Sequence, residues 1–248
     1  MRLCAGPDTV YDIRGDSPQL DANMTVALHA WREETITPIR NGLYANVIVN
    51  GDSRRPNVSI TFDDSPDENN TDQILDVLKH YGVKAAFFMI GQPMQENNAT
   101  VVKRAVQEGH LVLNHSFTHP HLTDRTPEEI VRELNATSER IFELTGNYPH
   151  LMRPPYGAVS TAVVDAINAQ GFTSVLWSLD SLDWAIRDKD EIIRNVLGNV
   201  RPGDIILMHG SRSNHATVEA LPEIIEGLRN KGYTFVSLDE MVSRVPYR

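Results

Sequence analysis

From about Asn57 onward the chain cycles through one pattern: a short apolar run, a polar loop, a stretch with apolar residues at helical spacing, then a glycine opening the next run. The runs Ala85 to Ile90, Leu111 to Leu113, Thr173 to Trp177 and Thr234 to Val236 are nearly continuous rather than alternating. Such runs suit strands buried on both faces of a parallel sheet. Gly82, Gly109, Gly171 and Gly232 precede them, where a helix ends and a positive φ costs glycine little. Between the runs, Ile74, Leu75, Val77 and Leu78 give one apolar helical face behind a Thr71 cap. Thr126-Pro127-Glu128-Glu129 has the form of a helix N-terminus with Pro at N1, continued by Ile130, Leu134, Ile141 and Leu144. Repeated βα units predict a parallel sheet or barrel whose functional residues gather at the C-terminal ends of strands. Residues 1–55 lack the rhythm, offering only apolar pieces such as Val26-Ala27-Leu28 and Ala45 to Val49 and a turn at Asn50-Gly51-Asp52. They are expected to form an N-terminal extension packed on a domain of residues 56–248.

Composition narrows the partners. A formal charge of −10 with no clustered Lys/Arg stripe excludes a phosphate-binding, nucleic-acid role and favours a neutral or cationic partner. Cys4 is the single cysteine, so neither an internal disulfide nor a thiolate metal cage is available. The opening MRLCAGPDTV has no apolar run of signal-peptide length, and no stretch of about 18 apolar residues occurs, so the chain reads as soluble, without a membrane span.

Five polar clusters sit just beyond apolar runs. The first strand, Asn57 to Phe62, leads into Asp63-Asp64-Ser65-Pro66; of two adjacent carboxylates, one ionises readily beside a cation and leaves the other as a general base, although Asp and Pro are also ordinary turn residues. After Leu111 to Leu113 come His115 and His119, four apart, which on one side of a helical turn can grip one metal ion. Two His and one Asp leave coordination positions open, as catalytic sites do. Arg153-Pro154-Pro155-Tyr156-Gly157 is a rigid loop able to orient a carboxylate or aim a backbone N–H at an oxyanion, or else a Pro-rich connector. Asp180 to Trp184 sets an acid and an aromatic ring beyond a strand, and Asp204 to Gly210 runs a buried strand straight into His209. Singly, each has a bland structural explanation; all five fall on the same face.

Together Thr61-Phe62-Asp63-Asp64-Ser65-Pro66, His115-Ser116-Phe117-Thr118-His119-Pro120, Arg153-Pro154-Pro155-Tyr156, Asp180 through Trp184 and Leu207-Met208-His209 resemble the five motifs of the polysaccharide deacetylase (NodB-homology) family, carbohydrate esterase family 4. The resemblance covers about Asn57 to Val242. It implies a deformed (β/α) barrel of about seven parallel strands and a metal-dependent hydrolase that removes N- or O-linked acetyl groups from a polysaccharide or oligosaccharide such as chitin, peptidoglycan or xylan. It further implies that Asp64, His115 and His119 hold a divalent metal, zinc above cobalt or nickel, and that Asp63 is the base, positioned by Arg153. By the same resemblance His209, paired with Asp183, is the general acid; the Tyr156 backbone N–H helps hold the oxyanion; and Trp184 and Leu207 form the slot for the acetyl methyl. The first motif departs from the family in having Ser65 where glycine is usual, and a positive φ there would strain serine by about 1–2 kcal/mol. Competing readings are a silent glycan-binding relative, an amidohydrolase acting on a small cyclic amide, and a non-haem iron oxygenase, which the βα repeats disfavour. Family habit places the protein outside the cytoplasm or in the cell envelope.

Overall fold

The computed structural model describes residues 9–248; Cys4 and the signal-peptide reading of the first residues lie outside the described residues. In chain order the helices are α1 (Ala22–Arg40), α2 (Asn70–Tyr81), α3 (Glu96–Gln107), α4 (Pro127–Thr145), α5 (Thr161–Ala169), α6 (Lys189–Asn199), α7 (His215–Asn230) and α8 (Leu238–Val242). The strands are β1 (Val47–Ile48), β2 (Asn57–Ser65), β3 (Ala86–Met89), β4 (Leu111–Asn114), β5 (Leu151–Met152), β6 (Thr173–Val175), β7 (Leu179–Asp180), β8 (Ile205–His209) and β9 (Thr234–Phe235). All ladders between them are parallel, in the order β1-β6-β5-β4-β3-β2-β8-β7, with β9 added against the start of β2. Residues 173–180 serve both ends of that order: Leu176 N–H donates to Ile48 O at 2.8 Å and Ser178 N–H to Ile205 O at 3.1 Å. The sheet therefore curls into a partial barrel, the α/β class that the βα rhythm predicts.

The two-residue period of β2 divides the core. Val58, Ile60 and Phe62 face outward and pack with Ile74, Leu75, Leu78, Leu221 and Ile225 of the helical layer. The inner cluster holds Ala86, Phe88, Leu113, Leu151, Val175, Ile205 and Leu207, joined by Ile13, Ile36 and Ile39 from before the first long strand. A partial barrel leaves inner apolar surface open to water, and α1 covers it. The first 55 residues thus contain a 19-residue helix, where the sequence offered only scattered apolar pieces, and their Val47–Ile48 is already a strand of the sheet.

The four rhythm-setting glycines all have positive φ. Thr126 caps α4 through a capping box: its Oγ1 accepts the Glu129 N–H and Glu129 Oε2 accepts the Thr126 N–H. Thr71 does not cap α2. It lies inside the first turn, and Asp67 Oδ1 instead accepts the Asn69 and Asn70 N–H groups at 3.0 and 2.8 Å. Its hydroxyl is used in tertiary structure, donating to Gly210 O at 2.9 Å. Among the described residues no helix is long and apolar enough to cross a membrane.

One buried group makes the fold acid-sensitive. His110 accepts the Ala85 N–H on Nδ1 at 3.1 Å, and its Nε2 has no partner. Burial, assisted by the Lys84 charge, pushes its pKa from 6.5 down to about 4. The unfolded imidazole takes up a proton below its ordinary pKa while the native one does not, so stability is lost as pH falls through that interval, by up to about 3 kcal/mol. In urea titrations His110→Gln is expected to flatten the fall in stability between pH 6.5 and 4; an unchanged slope would assign the loss to other groups.

Candidate active site

The strand periodicity that packs the core also delivers the polar groups. Along β2 the inward file is Ser59, Thr61, Asp63; along β8 it is Ile205, Leu207, His209. Asp63 and His209 are register partners across the two strands. Beyond Phe62 the register with β3 shifts, and Asp64 takes φ 61°, so the two adjacent carboxylates are aimed at different neighbours. The positive φ falls at Asp64, not at Ser65, so the strain expected for serine is absent. Ser65 is fully buried, and its Oγ would lie 2.2 Å from a Cβ at residue 210, so Gly210 gives the hydroxyl its space.

His115 and His119 do not share a helical turn. His115 follows β4 directly, and the chain then reverses through positive φ at Ser116 and His119. Side chains fix this loop: Asn114 Oδ1 accepts the Ser116 N–H, Ser116 Oγ accepts the His119 N–H, and Glu133 Oε2 accepts the N–H groups of Phe117 and Thr118 at 2.8 and 2.7 Å. His115 Nδ1 lies 2.7 Å from the Arg153 carbonyl, which can only accept, so Nδ1 carries the proton and Nε2 is left with its lone pair. That Nε2 is 3.5 Å from Asp64 Oδ1, and His119 Nε2 is 3.1 Å from the same oxygen.

Asp64 Oδ1 is buried and receives no hydrogen bond, and one donor atom from each of Asp64, His115 and His119 lies within 4.8 Å of the others. An orphaned carboxylate oxygen facing two imidazole nitrogens fits a divalent cation. Burial opposes ionisation of Asp64, yet the facing imidazoles hold its carboxyl well below the usual range. Burial likewise disfavours charge on His115, but Asp63 and then Asp64 push its pKa up. Both shifts describe a site whose carboxylates call for positive charge, which a metal supplies in place of protons.

Two buried pairs flank this centre. Arg153 is fully buried; NH1 donates to Asp63 Oδ1 at 2.7 Å and to Thr61 Oγ1 at 2.9 Å, while Nε and NH2 donate to the Val175 and Leu176 carbonyls. Its guanidinium also lies over the Phe88 ring at 4.1 Å. On the other side, His209 Nδ1 is 2.6 Å from Asp183 Oδ1, and Asp183 Oδ2 accepts the His209 N–H and the Thr217 hydroxyl. Burial alone would lower the His209 pKa, but the Asp183 charge overrides it and the group is pushed up to about 9.

All ten residues named from the sequence converge. Asp63, Asp64, His115, His119, Tyr156, Trp184, Leu207 and His209 line one cavity of about 330 Å³, and Arg153 and Asp183 stand behind it in contact with Asp63 and His209. Tyr156 has φ 61°, is half exposed, and stacks on His121 with ring centroids 3.9 Å apart. Asp64, Ser116, His119, Tyr156 and Leu182 all have positive φ, so backbone strain concentrates around the cavity, as it does at functional sites. Four further lining residues were not among the ten: Leu28 and Trp31 of α1, Trp177, and Asp180, whose Oδ1 accepts the Trp184 indole N–H at 3.2 Å. Asp180 belongs to a polar cluster already noted in the sequence and Trp177 ends the apolar run before it, whereas nothing local marks Trp31.

A curled parallel α/β sheet with an Asp-His-His centre at its strand ends, flanked by a carboxylate–arginine and a histidine–carboxylate pair, defines a metal-dependent hydrolase. The polysaccharide deacetylase family model matches residues 50–175. A peptidoglycan-N-acetylglucosamine deacetylase of Bacillus cereus is 39% identical over 193 residues, covering 77% of this chain and 70% of that protein. A peptidoglycan-N-acetylglucosamine deacetylase of Listeria monocytogenes is 38% identical over 74% of this chain, which spans only 38% of that protein's length. Among solved structures, a peptidoglycan N-acetylglucosamine deacetylase superposes with TM-score 0.79 at 36% identity, over 82% of this chain and 95% of that one. A family pseudoenzyme from Bacillus anthracis superposes with TM-score 0.74 at 30% identity, over 80% of this chain and 70% of that one. The chain belongs to the polysaccharide deacetylase family, the metal-dependent hydrolases of carbohydrate esterase family 4.

Proposed function

We propose that this chain removes N-acetyl groups from the amino sugars of an extracellular or envelope glycan, with peptidoglycan favoured over chitin and xylan because the relatives of highest identity reported above act on it. Residues 56–248 are read as the catalytic domain and residues 1–55 as an extension on it. The observation that carries the reading is the unpartnered Asp64 oxygen facing His115 and His119 inside a cavity bordered by both Asp63 and His209.

A divalent cation held by Asp64, His115 and His119 would polarise the acetyl carbonyl and acidify a water molecule; two nitrogens and one oxygen with open positions suit zinc, and cobalt or nickel as substitutes. Asp63 takes the proton from the attacking water, and Arg153, donating from NH1 to its Oδ1, fixes that carboxylate in direction. His209, held charged by Asp183, gives a proton to the sugar nitrogen as the C–N bond breaks, so acetate and a free amine leave. The Tyr156 backbone N–H assists at the oxyanion, and Trp184 and Leu207 receive the methyl.

Because a silent relative shares the fold, activity has to be measured. Acetate release from peptidoglycan glycan strands, chitin oligomers and acetylxylan is expected chiefly from the amino-sugar polymers, and Asp63→Asn is expected to abolish it. Protein with one bound metal per chain that releases acetate from none of them would instead be a glycan-binding relative or an amidohydrolase of small cyclic amides.

A further inference from the structure

The cavity is too large and too apolar for an acetyl methyl alone. At about 330 Å³ it has the size of a pocket for a whole small ligand. Apart from the acid, base and metal-facing residues, its wall consists of Leu28, Trp31, Tyr156, Trp177, Trp184 and Leu207, with Asp180 the one other charged member. Asp180 is itself buried, and its Oδ1 is already engaged by the Leu182 N–H at 2.8 Å and the Trp184 indole N–H at 3.2 Å. Sugar rings carry hydroxyls that need polar partners, and beyond the reacting groups this wall offers few, the half-exposed Tyr156 hydroxyl among them.

The part of the wall that enlarges it comes from α1, which precedes the family match at residue 50. Trp31 stacks on Trp177 with centroids 5.5 Å apart and planes 22° from parallel. A Cβ at Gly157 would meet Trp177 at 2.7 Å and Trp31 at 2.8 Å, so the glycine seats both rings against the Tyr156 loop. Leu28, one helical turn before Trp31, extends the same surface. From this geometry we infer that α1 builds an acyl-chain pocket, so that the site hydrolyses N-acyl groups several carbons longer than acetyl. The inference rests on the proposed hydrolase reading and changes only its acyl group: water adds its oxygen to the acyl carbon, the C–N bond breaks, the amine takes the proton, and a longer carboxylate leaves.

Calorimetric titration of sodium acetate and sodium butyrate into the zinc-loaded protein tests the pocket without turnover. Two added methylenes, at about fourfold each, predict butyrate binding about fifteen times more tightly than acetate. Leu28→Trp, which fills the far end from an exposed helix, and Trp31→Ala, which removes the wall, should each lower that ratio at least threefold. Equal affinities, or a ratio unchanged in Leu28→Trp, would overturn the inference. Hydrolysis of N-acetyl and N-butyryl glucosamine oligomers by the same protein separates the two claims. Acetate release without a butyrate preference leaves the hydrolase reading standing and removes the pocket; a butyrate preference without hydrolysis of either oligomer does the reverse.

Discussion

Replacing His209 with alanine is expected to lower kcat for acetate release by about 10²- to 10⁴-fold, the usual range for a lost general acid, without loss of bound metal. The pH dependence gives a sharper version. With its pKa pushed up to about 9, His209 carries its proton through neutrality and loses it on the alkaline side. A bound dication repels the imidazolium, so the alkaline limb of kcat/KM is expected at or below that value. In Asp183→Asn the largest supporting charge is gone while burial, which lowers a histidine pKa, remains, and a bound dication offsets the Asp64 and Asp63 charges that otherwise oppose it. The limb should therefore move to the acid side of neutrality, with activity partly recovered as pH is lowered. An Asp183→Asn enzyme with the wild-type profile would show that His209 is not the proton donor.

Arg153→Ala is expected to cost about 3–5 kcal/mol in urea unfolding and to eliminate measurable acetate release. Four acceptors depend on this one fully buried guanidinium: the Asp63 carboxylate, the Thr61 hydroxyl and the Val175 and Leu176 carbonyls. Its removal leaves a buried carboxylate without its counter-charge and two carbonyls without donors, which is far worse than never having built the pair. Arg153→Lys retains the charge but cannot reproduce a planar fork with donors in three directions, so it should recover less than half of the lost stability. A loss below about 1 kcal/mol for the alanine variant would mean that the core relaxes to hydrate Asp63, and that Arg153 does not fix the base.

These effects follow from residues that the sequence already marked, for a definable reason. Asp63, His115, Arg153, Asp183 and His209 lie at or just beyond strand ends, so the period-two pattern that buries Ile60 and Ile206 also sets the polar residues that follow. What stayed illegible depends on tertiary contact. The His115–His119 spacing suits a helical turn, but Glu133 and Asn114, from α4 and β4, hold the loop in another shape. Thr71 has the chemistry of a cap, yet its hydroxyl finds Gly210 O and Asp67 takes the capping role. The helix α1 hides because its outer half is exposed and its buried residues, Arg32, Thr35, Ile36 and Ile39, mix polar with apolar. Nothing near Trp31 in sequence points to a ring stacked on Trp177 in the cavity that Asp64, His115 and His119 also line; only folding brings them together.

The most direct test of the central claim is to strip the protein with a chelator, titrate it with zinc, and follow bound metal and acetate release in the same samples, beside His119→Ala. The account predicts one equivalent bound per chain, acetate release rising in proportion to it, and loss of both in the variant. Acetate release that persists without metal, or zinc binding unaffected by removal of His119, would contradict it.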